Sequence, residues 1–222
     1  MHRRFADRAD AGRALADHLK QYARRDDVVV FGLPRGGVPV AYEVSRALGA
    51  PLDVLVVRKL GVPWQSELAM GAIASGDALY VDEELVRETA VSEREFERVL
   101  AQEKAQLARR EALFSDPQRA RVDVANRTAI IVDDGLATGA TMTVAARALR
   151  ARAAAKIIAA LPVAPYDAAA RIGGEIDEFV CVLTPESFFA VSQFYSDFNE
   201  TTDDDVRAIL ARASSANGPA SS

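Results

Sequence analysis

The chain has 222 residues, half of them apolar and 27% charged, which is the balance of a globular domain and excludes a disordered or fibrous one. Its 27 basic and 32 acidic residues leave a net charge of −5, which argues against a general nucleic-acid binder, whose footprint is normally basic. Cys181 is the only cysteine, so no intrachain disulfide is possible. A reducing, cytoplasmic setting is the plain expectation. The first residues are charged (His2, Arg3, Arg4, Asp7, Arg8, Asp10) and lack the apolar segment of a signal peptide. No apolar run reaches the roughly 20 residues of a membrane helix.

Leu15, Leu19 and Tyr22 recur at helical spacing, so residues 8–24 read as an amphipathic helix broken by Asp26 and Asp27. Val28 to Leu33 is a continuous apolar run and reads as a buried strand. It ends in Pro34-Arg35-Gly36-Gly37, and a helix is expected from about Val40 to Leu48, closed by Gly49. Two glycines beside an arginine after a parallel strand suit an anion nest, although the same four residues also suit a plain turn. Pro51 to Val57 reads as a third strand that delivers Arg58 and Lys59 to the same edge. There they face a ligand or form a solvated strand end.

Residues 60–127 depart from strand–helix alternation. Gly61 to Glu67 is a loop by composition, and Glu67 on it is either a catalytic carboxylate or a surface residue. Met70–Ala74 and Ala78–Val81 read as short strands around a Ser75-Gly76-Asp77 turn. Residues 83–89 and 92–113 read as helices, and the charge-rich face of the second reads as solvated.

Ala129-Ile130-Ile131-Val132 is a second buried strand, followed by Asp133-Asp134 and the small loop Gly135-Leu136-Ala137-Thr138-Gly139-Ala140-Thr141. A helix runs on from Met142 to Arg150. Such a loop offers backbone amides, the Thr138 and Thr141 hydroxyls and the positive end of a helix dipole, which together suit a phosphate monoester. Two carboxylates just before it suit the hydroxyls of the attached sugar, and paired acids at a buried strand end are costly without a ligand or partner. Lys156–Val163 and Glu178–Leu183 read as further strands, with a short helix over 167–172 and Gly173-Gly174 between them. Cys181 reads as a core thiol. Five aromatics crowd Phe188 to Phe198, as a hood that stacks a planar base or as core packing. A last helix over 203–213, capped by Thr202 or Asp203, precedes a tail (214–222) expected to be disordered.

The 129–141 run resembles the phosphoribosyl-pyrophosphate (PRPP) signature of type I phosphoribosyltransferases, and the whole chain resembles a bacterial group of predicted phosphoribosyltransferases with unassigned substrate. The resemblance implies an open, mainly parallel α/β sheet flanked by helices. One domain over 1–213 carries an inserted flexible loop and helical segment at 60–127 and a small hood at 184–202. It implies Mg²⁺-bound PRPP as donor and a nitrogenous small-molecule acceptor. No nucleic acid or membrane partner is implied, and a homodimer is a common state in the family. By resemblance, Asp133 and Asp134 hold the ribose and, through PRPP and water, the metal. Gly135, Ala137, Thr138, Gly139 and Thr141 hold the 5-phosphate. Arg35, Gly36, Gly37, Arg58 and Lys59 hold the pyrophosphate. Lys59, Arg35 and Glu67 are the catalytic candidates. Ala137 stands where the 6-oxopurine enzymes carry an acid–base aspartate, as it does in the adenine enzymes, and alanine cannot move a proton. A PRPP-binding regulatory module of the same fold is therefore the alternative to an active transferase.

Overall fold

The computed structural model describes residues 4–76, 78–115, 122–136 and 139–216. Five strands form the main sheet: β1 (Val28–Gly32), β2 (Leu52–Val54), β6 (Thr128–Val132), β7 (Lys156–Val163) and β8 (Glu178–Leu183). They run parallel in the order β2-β1-β6-β7-β8. β1 and β6 are buried at every residue, so their continuous apolar sequence follows from cover on both faces. Val29, Phe31, Ala129 and Ile131 face one apolar core, shared with α5 (Ala140–Ala151). Val28, Val30, Ile130 and Val132 face the other, shared with α2 (Gly37–Leu48) and α7 (Asp203–Ala216). The period of two in the strands divides the side chains between the layers.

The order of the strands reverses between β1 and β6, since β1 leads outward to β2 and β6 leads the other way to β7. A crevice opens at such a point beyond the carboxyl ends of the strands, and it is where open α/β sheets take ligands. The loops that follow β1 and β6 are the Pro-Arg-Gly-Gly and Asp-Asp loops.

The expected third strand divides in two. β2 stops at Val54, and β3 (Val57–Val62) joins β4 (Gln65–Ala74) and β5 (Ala78–Val81) in an antiparallel three-stranded sheet. The segment expected as a loop at 61–67 is thus the β3–β4 hairpin, because Val62, Leu60, Met70 and Ile73 bury themselves in a core of their own. Asp77, in the expected turn before β5, lies outside the described residues. α3 (Glu83–Glu88) and α4 (Glu93–Phe114) follow. A capping box of Ser92 and Glu95 starts α4, satisfying two of its free amides. Leu107 of α4 sits in the core of this smaller sheet.

Other boundaries shift for local reasons. α1 (Arg8–Asp17) ends earlier than expected and gives way to a 3₁₀ turn at Lys20–Tyr22, which still buries Leu19 and Tyr22. α2 starts three residues before Val40. α6 (Ala168–Ile172) is a short turn of helix. α7 continues to Ala216, so 214–216, expected as tail, are helical; 217–222 lie outside the described residues. Thr202 caps α7, its hydroxyl accepting the Asp205 amide at 3.1 Å. Leu60 is fully buried at the centre of the small core. Leu60→Ala is expected to cost about 2–4 kcal/mol, read by denaturant unfolding.

Candidate active site

The site is built from the bottom of the crevice upward. Val132 ends β6, and its carbonyl accepts the Leu33 amide at 2.9 Å, so the two loops leave their strands side by side. A side chain at Gly36 would fall 2.0 Å from Asp134 Oδ2, and one at Gly37 would fall 2.6 Å from the Val132 carbonyl. Only glycine allows so close an approach. The glycine pair is therefore required by the packing of one loop on the two acids. Gly37 already lies in the first turn of α2, and its amide donates to Leu33 O at 3.0 Å. The Gly37 amide, expected in an anion nest, is thus taken up by the turn that leads into α2.

Asp133 and Asp134 are partly buried. Loss of water around the carboxyl, and then the neighbouring Asp134 charge, push Asp133 well above the ordinary carboxylate range. Burial also pushes Asp134 up, opposed by Arg8. Arg8, the first residue of α1, puts its Nε 2.9 Å from Asp134 Oδ2. Its Nη1 donates to the Asn199 carbonyl at 2.6 Å, and its guanidinium lies 4.0 Å from the Phe198 ring centre. The Tyr195 hydroxyl donates to the Asp134 carbonyl at 2.5 Å. The acid pair is thus held from above by the two ends of the domain.

Those ends are stitched together. Phe5 donates to the Phe194 carbonyl at 2.8 Å, and Ser196 donates back to Phe5 O at 2.8 Å. Four of the five tail aromatics pack into one cluster with Phe5: Phe188 stacks on Phe194, and Tyr195 contacts both Phe5 and Phe198. Core packing accounts for these four. Phe189 alone of the five is exposed, at 84%.

The loop after Asp134 is described on either side of Ala137 and Thr138, which lie outside the described residues. Gly135 is buried, and the Leu136 amide donates to Val163 O at 3.1 Å, tying the loop to β7. Gly139 takes a left-handed conformation (φ +85°) at the N-cap of α5, which a residue with a side chain adopts only at a cost. Thr141 is in the first turn of α5, exposed at the helix's positive end.

Two cavities open on this edge. One, of about 720 Å³, is lined by Arg35, Arg58 and Thr141 together with Gln106, Arg109 and Arg110 of α4. The other, of about 500 Å³, is lined by Arg58, Lys59 and Thr141 with Arg98 and Gln102 of α4. Arg58 and Lys59 reach the site from β3 of the small sheet, not from the end of a core strand. Arg58 Nη2 pairs with Glu103 at 2.7 Å. Arg35 pairs with Glu200 and, at 3.8 Å, with Asp203. Glu67 lies on the exposed start of β4 and lines neither cavity, although its neighbour Ser66 lines the second.

The polar face of α4, expected to be solvated, is exposed at Gln106 and Arg109 and also forms a wall of the cleft. Gln106, Arg109, Arg110 and Leu113 recur at i, i+3, i+4, i+7 and so share one face. Arg8 was equally silent in the sequence. The only signal for it is indirect: two acids at a strand end demand a cation, and the one that answers is 126 residues away in sequence.

Residues 5–199 match the model of the phosphoribosyl transferase domain. The chain belongs to this family. It is 49% identical over 209 residues to the provisionally named phosphoribosyl transferase Rv0571c of Mycobacterium tuberculosis, covering 94% of this chain and 47% of that protein; the counterpart MT0597 from a second strain matches equally. The chain thus spans about half the length of the curated relatives it matches. Among solved structures it is similar to TT1426 from Thermus thermophilus, at 38% identity and a TM-score of 0.85, covering 94% of this chain and 98% of that one. Among the described residues, no helix is long and apolar enough to cross a membrane.

Removal of the Arg8 charge leaves Asp134 without its ion pair. Arg8→Gln is expected to cost about 2–3 kcal/mol. The loss should grow as pH rises out of the ordinary carboxylate range and then level off. A carboxyl whose folded pKa is raised costs the fold nothing below its unfolded value, and the cost accumulates from there until the raised value is passed. Thermal melts across that rise in pH, with Asp134→Asn in the same background as a partial rescue, provide the check.

Proposed function

We propose that the chain transfers the 5-phosphoribosyl group of PRPP to a nitrogen acceptor and releases pyrophosphate. The observation that carries the reading is the meeting, at the switch point of one sheet, of an acid pair, a loop at a helix N-terminus and a set of arginines and lysine. Each fits a part of one molecule. The carboxylates accept hydrogen bonds from the ribose hydroxyls, the amides and Thr141 hydroxyl at the α5 N-terminus suit the 5-phosphate, and the cations suit the diphosphate. In the transfer the anomeric C–O bond to diphosphate breaks and a C–N bond to the acceptor forms. The bond electrons leave on diphosphate, so cationic groups that stabilise the departing charge speed the reaction. Exclusion of water would protect an oxocarbenium-like centre from hydrolysis.

Magnesium fits this donor set in one way. Among the described residues no group of three or more His, Cys, Asp or Glu side chains converges. A Mg²⁺ ion, which keeps several waters and binds through one or two carboxylates plus phosphates, would be held by Asp133 and Asp134 through PRPP and water. It would supply charge neutralisation at the diphosphate. The acceptor is open. Tyr166 and Phe189 follow β7 and β8 and are exposed at 74% and 84%, and they favour a planar one.

A second reading keeps PRPP binding without transfer. It is favoured by the exposed position of Glu67 and by Ala137, which leave no acid–base group evident at the acceptor among the described residues.

Asp133→Asn combined with Asp134→Asn should abolish Mg²⁺-dependent PRPP binding in calorimetry while the melting transition persists. Unchanged affinity would sink the site assignment. Lys59→Ala should weaken pyrophosphate binding more than ribose 5-phosphate binding, by about tenfold for one charge-assisted bond. Equal losses would contradict its role.

A further inference from the structure

The larger cavity holds more positive charge than the sequence assigns to it. Arg35 and Arg58 come from the first loop and β3, and Arg109 and Arg110 are added by α4. Four guanidiniums around one space repel one another unless anions lie between them. The chain supplies some of these itself. Glu103 neutralises Arg58 at 2.7 Å. Glu200 pairs with Arg35, and Asp203 lies 3.8 Å from Arg35 and 3.4 Å from Arg110. Among the described residues Arg109 makes no ion pair.

The acids at the start of α7 are imperfect partners. Asp203 Oδ1 is shielded from water yet has no hydrogen-bond partner among the described residues, because both of its ion pairs are longer than a good hydrogen bond. Glu200 is 75% exposed along its side chain, so its pair with Arg35 is screened by water. Diphosphate offers several acceptor oxygens and higher charge, and it bonds guanidinium groups bidentately. It is the better occupant.

We propose that Arg109 and Arg110 of α4 complete a diphosphate-binding cavity, and that Glu200 and Asp203 occupy its arginines as an internal competitor that diphosphate displaces. The inference rests on the proposed function for the role of the cavity in catalysis. α4 then does more than cover the small sheet: it is the wall against which the leaving group sits. The competitor holds Arg35 and Arg110 through ion pairs from beside the cavity, whose lining includes neither acid, and an entering anion must outcompete those pairs.

The test is calorimetric titration of the full chain with inorganic pyrophosphate, with ribose 5-phosphate as the parallel ligand. Arg109→Gln with Arg110→Gln should weaken pyrophosphate about tenfold or more and leave ribose 5-phosphate within twofold. Glu200→Gln with Asp203→Asn should tighten pyrophosphate severalfold. Glu200→Gln alone, a change at an exposed side chain, should tighten it in the same direction should the double variant melt early. Pyrophosphate affinity within twofold of wild type in the arginine variant, or no binding by the wild type, overturns the cavity. Unchanged or weaker affinity in the acid variants overturns the competitor. Pyrophosphate binding that follows these expectations in a protein that takes no ribose 5-phosphate would keep the cavity and overturn the transferase reading.

Discussion

The structure depends on two carboxylates set side by side at the end of a buried strand. Asp133 and Asp134 follow five fully buried residues of β6, where water is scarce and like charges are close. Everything around them reads as an answer to that cost. The first loop brings glycines against them because a Cβ at Gly36 would meet the Asp134 carboxylate. Arg8 brings a charge from the start of α1. Tyr195 fixes the Asp134 carbonyl from the C-terminal segment. An unfavourable pair with this much support fits the ligand-binding role proposed for it, since a merely structural position is served as well by apolar residues.

The support also explains why the ends of the domain are where they are. Phe5 and the 194–198 segment zip together by backbone hydrogen bonds and by an aromatic cluster. That cluster places Phe198 beneath the Arg8 guanidinium and so aims Arg8 at Asp134. The tail aromatics that suggested a hood are chiefly the mounting of this arginine. Phe189 is left outside the cluster. Across the cleft, α4 and the small sheet carry the cations. The acids thus come from the main sheet, and the cations of the cavities come from β3 and α4 together with Arg35 of the loop after β1.

Much of this was legible in the sequence, and the reasons are specific. Continuous apolar runs announced β1, β6 and β7, because a parallel strand covered on both faces has no polar alternation to obscure it, and the apolar run Phe179 to Leu183 announced the half-buried edge strand β8. Asp-Asp after Val132 marked the sheet edge. Three things were not legible. Val57 begins a strand in a different sheet from Val54, and no local pattern separates them, because the choice is made by the distant partners Ala69 to Ala74. The arginines of α4 alternate with acids as on any exposed helix, and only the tertiary placement of α4 makes Arg109, itself exposed, and Arg110 border the cavity. Arg8 sits on a short helix with nothing nearby to distinguish it, and its role depends on a contact across much of the chain.

The central claim is that the acid pair, the α5 N-terminus and the cations form one PRPP site. Calorimetric titration of the purified protein with PRPP, with and without Mg²⁺, tests it most directly. The account predicts saturable binding at micromolar concentration that weakens sharply when the metal is chelated. A folded protein that takes up no PRPP in either condition would contradict it.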